Sequence, residues 1–344
     1  MALKWIEGFE GFAATGAGMA SGALIRKYPG SMQETYIQAV AGRLGGQAVK
    51  FTNASNTIRS PVMTTNPTMI LGFAFRLDAG VGYDNEIVTF YADGTRGMNL
   101  RRTSAGAVQV YNANTLLGET TGIYIANSVW YYFEFKVVAG ASGSYEVRLN
   151  GATILQDSGV DTRAGGLDYY DVWQFNDRIG VNNVFDDLYC VDGDATGGGP
   201  IDFLGPKTVV TLYPDAAGDL AQWTPSAGDN WDCVDDPTVA DDDTTYVEAD
   251  AARVDLYNFG SVPGEQVGTV VGVQVNADVK ISGTGGLTSL SLPAKLSGTQ
   301  SDGSPVTISS EEYVTASRVM EKCPDGAIWT VDNLNNCQFG IALD

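Results

Sequence analysis

The sequence predicts an all-β protein made of two β-sandwich, jelly-roll-like domains in tandem. Three observations predict it. Several separate stretches place apolar residues at every second position, the period of a strand with one wet face. Gly, Asn and Asp clusters punctuate those stretches, with 42 Gly among 344 residues. No stretch carries the 3.6-residue period of a long amphipathic helix, and the length exceeds what one small core needs.

Taken in order, the chain opens on WIEGFE (Trp5 to Glu10), read as a strand. In MILGFAFRLDAG, Met69, Leu71, Phe73, Phe75 and Leu77 fall on one face while Arg76 and Asp78 take the other. WYYFEFKVVAG repeats the pattern with Tyr131, Phe133, Phe135 and Val137 inside and Glu134 and Lys136 outside. SYEVRLNGATILQD alternates Tyr145, Val147 and Leu149 with Glu146 and Arg148, and Asn150-Gly151 supplies the left-handed pair that a tight hairpin turn requires. NVFDDLYCVD (Asn183 to Asp192) is a further strand; paired with the opening one, it closes the domain on its own termini. The predicted boundaries are therefore 1–195 for the first domain, a Gly-rich hinge at 196–201 and 202–344 for the second.

In the second half, GTVVGVQVNADVKISG predicts a long central strand with Val271, Val273, Val275, Ala277, Val279 and Ile281 on one face. WTVDNLNNCQFGIALD predicts a helical turn capped by Thr330, then a closing strand that buries Phe339, Ile341 and Leu343.

Composition excludes more chemistry than it suggests. A net charge of −21 opposes binding to nucleic acid and to anionic membrane surfaces. With no histidine in the chain, Ser-His-Asp and Cys-His catalysis and His-containing zinc sites are ruled out. Cys190, Cys233, Cys323 and Cys337 have no CxxC spacing and read as buried thiols of a protein made in a reducing compartment. No secretory leader and no apolar run long enough to span a membrane is visible, and no cofactor is expected.

Three stretches invite a site. The acidic run DNWDCVDDPTVADDDTTYVEAD (229–250) holds calcium candidates Asp241, Asp242 and Asp243, although adjacent carboxylates diverge on an extended chain and the EF-hand spacing is missing. GGLDYYDVWQFNDR offers Tyr169, Tyr170 and Trp173 as a glycan platform; the other reading is a strand in which Tyr169, Asp171, Trp173 and Phe175 share a partly buried face. A carboxylate-only glycoside hydrolase would need two carboxylates about 5–10 Å apart. The nearest pairs, Glu7 with Glu10 and Asp186 with Asp187, lack the same-face spacing, and no catalytic residue is assigned.

Several segments also carry a resemblance. MALKWIEGFEGF, YEVRLNGATIL and NVFDDLYCVDG resemble laminin-G-like, concanavalin A-type jelly-roll domains of tailed-phage virion proteins. Asp202 to Val262, with LYP, WTPS and VDDP followed by DDTTYV, looks like a second module of such proteins, and AIWTVDNLNNCQFGIAL is similar to its last strand. The resemblance implies a non-enzymatic structural component of a phage particle, assembled in the host cytoplasm, tail-associated or capsid-decorating. Its implied partners are other virion proteins, further copies of itself and host-surface glycan. The alternative is a glycan-binding adhesin.

Overall fold

The computed structural model describes residues 2–14, 16–18, 22–30, 36–53, 56–79, 84–175, 181–264, 268–282 and 288–343. It divides into two compact units, Met1–Val209 and Val210–Asp344, both all-β. Residues 196–201, where the hinge is expected, and the segment 202–209 after them thus fall in the first unit. Among the described residues no helix is long and apolar enough to cross a membrane.

The first unit runs β1 (Leu3–Glu7), helix α1 (Ala23–Lys27), β2 (Ile37–Ala41), β3 (Gln47–Phe51), β4 (Ile58–Arg59) and β5 (Thr68–Leu77). It continues with β6 (Asn85–Ala92), β7 (Thr95–Arg102), β8 (Val108–Asn112), β9 (Thr115–Glu119) and β10 (Tyr131–Val138). Last come β11 (Gly143–Leu149), β12 (Ala152–Val160), β13 (Val172–Phe175) and β14 (Asn183–Asp192). An eight-stranded antiparallel sheet has the order β12-β11-β10-β5-β14-β3-β2, with β1 also paired to β14. A six-stranded sheet has the order β4-β13-β6-β7-β8-β9.

The alternation read from the sequence decides which faces meet. Phe73, Phe133, Phe135 and Phe185 of the large sheet, and Phe90, Trp173 and Phe175 of the smaller one, are all 0% exposed. Their rings interlock across the sandwich: Phe175 lies 4.0 Å from Phe185, Phe73 5.1 Å from Phe175 and Phe90 5.1 Å from Phe135. The hairpin after β11 turns on Asn150 (φ 50°) and Gly151 (φ 85°), as the sequence predicts. The first and last strands pair antiparallel, from Leu3 opposite Val191 to Glu7 opposite Leu188.

One feature has no forerunner in the sequence. Residues 202–209 lie as a strap on the outer face of the large sheet, gripped mostly through their backbone. Leu204 N donates to the Tyr189 hydroxyl (3.0 Å), Gly205 N to Glu134 Oε1 (2.7 Å) and Val209 N to Asp187 Oδ1 (2.7 Å). Arg43 donates to the Lys207 carbonyl, and Phe203 lies under the Arg148 guanidinium at 3.9 Å.

The second unit holds β15 (Pro214–Ala221), β16 (Thr224–Pro225), β17 (Val247–Glu248), β18 (Arg253–Phe259), β19 (Val273–Val279), β20 (Thr288–Ser291) and β21 (Ala294–Leu296). It ends with β22 (Thr299–Ser301), β23 (Val306–Ile308), β24 (Val314–Met320), helix α2 (Val331–Asn335) and β25 (Gln338–Leu343). A seven-stranded sheet centred on β18, β25 and β20 faces a ribbon of β19 with β24. Leu290, Leu292, Ile308 and Ile341 of the sheet pack with Val275, Ala277, Val279 and Val314 of the ribbon. The strand expected to be central, β19, thus belongs to the two-stranded layer; its alternation reports one buried face, which a covering ribbon satisfies as well as a central strand. Thr330 caps α2 by accepting from Asn333 N at 3.0 Å, and of the three residues expected to be buried in β25, Phe339 and Ile341 are buried and Leu343 is half-buried. All four cysteines are free and buried.

Candidate functional site

The aromatic platform predicted at Tyr169, Tyr170 and Trp173 is corrected by burial. Trp173 is 0% exposed on β13, 5.9 Å from Tyr28 and 5.1 Å from Phe175. Tyr170 is 0% exposed against Phe90, with its hydroxyl donated to the Thr162 carbonyl, and Tyr169 is half-buried. The strand reading holds for Val172–Phe175 only, where Trp173 and Phe175 enter the core because a Trp ring gains more there than from solvent; Tyr169 lies outside the strand, and Tyr170, expected on the other face, is in the core as well.

The calcium candidates are corrected by direction. Both Asp241 oxygens accept from the Thr245 hydroxyl at 2.9 Å, whereas Asp243 takes Lys280 and the Tyr313 hydroxyl. Asp242 sits between them at φ 60°. Among the described residues no group of three or more Cys, Asp or Glu side chains converges on a point that could hold a metal ion. The acidic run is architectural: Asn230 donates to Asp255 Oδ2 at 2.6 Å, and β16 pairs with β17 to close the loop. Asp255, itself 0% exposed, also accepts from Gln222 N, Trp223 N and the Tyr257 hydroxyl.

The two carboxylate pairs noted in the sequence are structural as well. Glu7 is buried between Lys27 (2.6 Å) and the Tyr28 hydroxyl (2.7 Å). Asp186 and Asp187 lie at the bulge of β14, where Arg43 Nε binds Asp187 at 2.8 Å and Arg43 N binds Asp186 at 2.7 Å. Burial, then the neighbouring Asp187 charge, pushes the Asp186 carboxyl up to about 8.

The side chains that do converge lie on the outer face of the six-stranded sheet. Antiparallel register aligns Arg59, Gln174, Thr89, Asn99 and Tyr111 in one row across β4, β13, β6, β7 and β8. A second row aligns Glu86, Arg101, Gln109 and Glu119 across β6, β7, β8 and β9. Alternation puts these residues opposite the Phe90, Leu100 and Val110 face, except that Glu86, of the same parity as Val88 and Phe90, joins them through the register shift between Glu86 and Val88.

Hydrogen bonds fix the rows to one another. Glu86, 3% exposed, accepts from Thr89 Oγ1 (2.6 Å) and pairs with Arg96 (2.6 Å) and Arg101 (3.6 Å). Arg101 Nε donates to Asn99 Oδ1 at 2.8 Å, and its guanidinium lies 4.0 Å from the centre of the Tyr111 ring. The Tyr111 hydroxyl donates to Gln109 Oε1 (3.3 Å), whose amide donates to Glu119 Oε2 (2.6 Å). Arg59 covers the Tyr91 ring at 4.8 Å. Thr89 and Asn99 form a buried floor, while Tyr111 is half-buried, Glu119 is exposed and the Arg101 side chain is 20% exposed. The accessible part of the face is therefore its β7–β9 end.

This arrangement offers fixed donors and acceptors beside an aromatic ring. It does not offer paired carboxylates for hydrolysis: Glu86 and Glu119 stand three strand spacings apart, about 14 Å at ~4.8 Å per strand, beyond the reach of one glycosidic bond. A groove of about 510 Å³ also lies along β10, β11 and β12, lined by Lys136, Ser144, Glu146 and Gln156. Lys136 is engaged there by Asp202 and Glu146 by Arg148 and Thr153, and Asp157 also lines the groove.

No protein-family model matches the chain, and no curated protein does. Similar solved structures include an endo-β-1,4-glucuronan lyase of the fungus Trichoderma reesei, at 12% identity and TM-score 0.34 over 45% of this chain and 86% of that one. The alginate lyase Aly36B gives 12% identity and TM-score 0.41 over 54% and 96%. Trypanosoma rangeli sialidase gives 11% identity and TM-score 0.36 over 54% and 30%. Against the expectation of a non-enzymatic phage structural component, the similar structures named here are two polysaccharide lyases and a sialidase. At these identities and TM-scores no activity passes from them to this chain, and function is argued below from its own residues.

Proposed function

We propose that the protein binds carbohydrate on the outer face of its six-stranded sheet. The observation that carries this reading is the pair of cross-strand rows in which Asn99, Arg101, Gln109, Tyr111 and Glu119 hold one another in place by hydrogen bonds and ring stacking. Sugar hydroxyls both donate and accept, so they are matched by a mixed set of amides, guanidinium and carboxylate. The apolar face of a pyranose is matched by an aromatic ring. Side chains already fixed lose little further entropy on binding, which makes such a face more effective than the same residues on a loop.

The reading is tested on an array printed with neutral, uronic-acid and sialic-acid oligosaccharides. Binding is expected to a subset of them and is expected to fall at least tenfold in Tyr111→Ala, with Trp223→Phe in the second unit as a control that keeps the signal. No binding to any printed glycan, or binding indifferent to Tyr111, overturns the reading.

A further inference from the structure

On the carbohydrate face just described, we infer that the ligand is a carboxylated sugar whose carboxylate sits on the guanidinium of Arg101; the inference rests on that reading and names its ligand class. Arg101 has five N–H donors in a planar fork. Nε is used on Asn99 Oδ1 at 2.8 Å, and Nη2 makes one long contact, 3.4 Å to the Ala113 carbonyl. Glu86, its ionic partner, stands 3.6 Å from Nε and is satisfied more closely by Thr89 and Arg96, each at 2.6 Å. The Nη edge of the fork is therefore largely uncommitted while the group itself is fixed, by Asn99 in the plane and by the Tyr111 ring at 4.0 Å on its face. A fixed fork with two parallel N–H groups matches a carboxylate in a bidentate pair, which neither a hydroxyl nor an amide reproduces.

The charge around it agrees. Arg96 and Arg101 both pair with the single carboxylate of Glu86, which leaves one positive charge in excess at that point of a chain whose net charge is −21. The exposed carboxylate, Glu119, is at the edge strand β9, held by Gln109 and separated from Arg101 by the width of β8. An anion reaching the fork meets the positive part of the face, and the sugar ring then lies over Tyr111, where Gln109 and Glu119 are placed to bond its hydroxyls.

The experiment compares polygalacturonate, the same polymer after reduction of its carboxyl groups to alcohols, and the glycan array, by calorimetry and array signal on the full chain. The expected result is binding of acidic members only, lost on carboxyl reduction. Arg101→Gln is expected to weaken it at least tenfold, and Arg101→Lys, which keeps the charge but not the fork, is expected to recover only part of it. Both variants are checked for unchanged melting; should Gln unfold the sheet, the Lys variant and the reduced polymer carry the test. Equal binding of the native and reduced polymers, or of acidic and neutral glycans, overturns the carboxylate assignment and leaves carbohydrate binding standing. Absence of binding to every probe overturns the functional reading itself.

Discussion

At the scale of single residues, burial of charge sets the sharpest expectations. The Asp186 carboxyl holds its proton up to about 8 in the folded protein, whereas an unfolded Asp loses it near 4. Between those values the native state binds more protons than the unfolded one, so this group makes stability fall as pH rises, by up to ~1.4 kcal/mol per pH unit. Denaturant titrations from pH 4.5 to 8 are expected to show that fall in the parent and a flatter profile in Asp186→Asn, whatever the variant's absolute stability. Asp255 is a different case, because four donors meet on one carboxylate that has no exposure. Asp255→Ala strands those donors and is expected to cost about 3 kcal/mol or more, read as a lowered denaturation midpoint. Neither role is visible in the sequence, where Asp255 is one acidic residue among 41 Asp and Glu. The binding residues were hidden for a related reason: Glu86, Arg101, Gln109 and Glu119 are spread over 34 positions and become neighbours only through register. The available signal was the i, i+2 pairs Asn99/Arg101 and Gln109/Tyr111, polar partners of buried strand positions.

At the scale of elements, strands announced by strict alternation are where the sequence places them. Residues 69–77, 131–137 and 145–149 form β5, β10 and β11, and the Asn-Gly turn follows on schedule. Where the sequence left a ligand platform and a strand both open, at Tyr169 to Phe175, burial decides: Trp173 and Phe175 of β13 serve as core. Trp173→Ala is accordingly expected to cost about 3–5 kcal/mol of stability, seen in thermal melting, through a cavity between the sheets. The strap was illegible because it is held mostly by its own backbone groups, which leave no compositional mark. Its footing depends on one glycine: a Cβ at Gly72 would stand 2.0 Å from the Tyr189 ring, whose hydroxyl holds Leu204 N and Glu134. Gly72→Ala is expected to cost about 1–3 kcal/mol and to speed amide exchange at Leu204 and Gly205 well above the parent.

At the scale of the whole molecule, the charge of −21 and the local arginine cluster pull in opposite directions. A polyanionic glycan is repelled at a distance and attracted only on arrival. Raising ionic strength from 20 to 150 mM, which shortens the Debye length from about 20 to about 8 Å, is therefore expected to increase the association rate measured by surface plasmon resonance. An unchanged or falling rate would show that the local cluster governs approach as well as contact.

The strap has a further consequence for integrity of the chain. Gly198 is exposed and offers a protease an accessible bond, yet the residues beyond it are fastened to β10, β14 and the β2–β3 connection through Glu134, Tyr189, Asp187 and Arg43. A single cut there would free two new termini without freeing the pieces, which would migrate apart under denaturing electrophoresis and elute together in native buffer. After such a cut the protein would be held at this point by the strap's hydrogen bonds rather than by the chain.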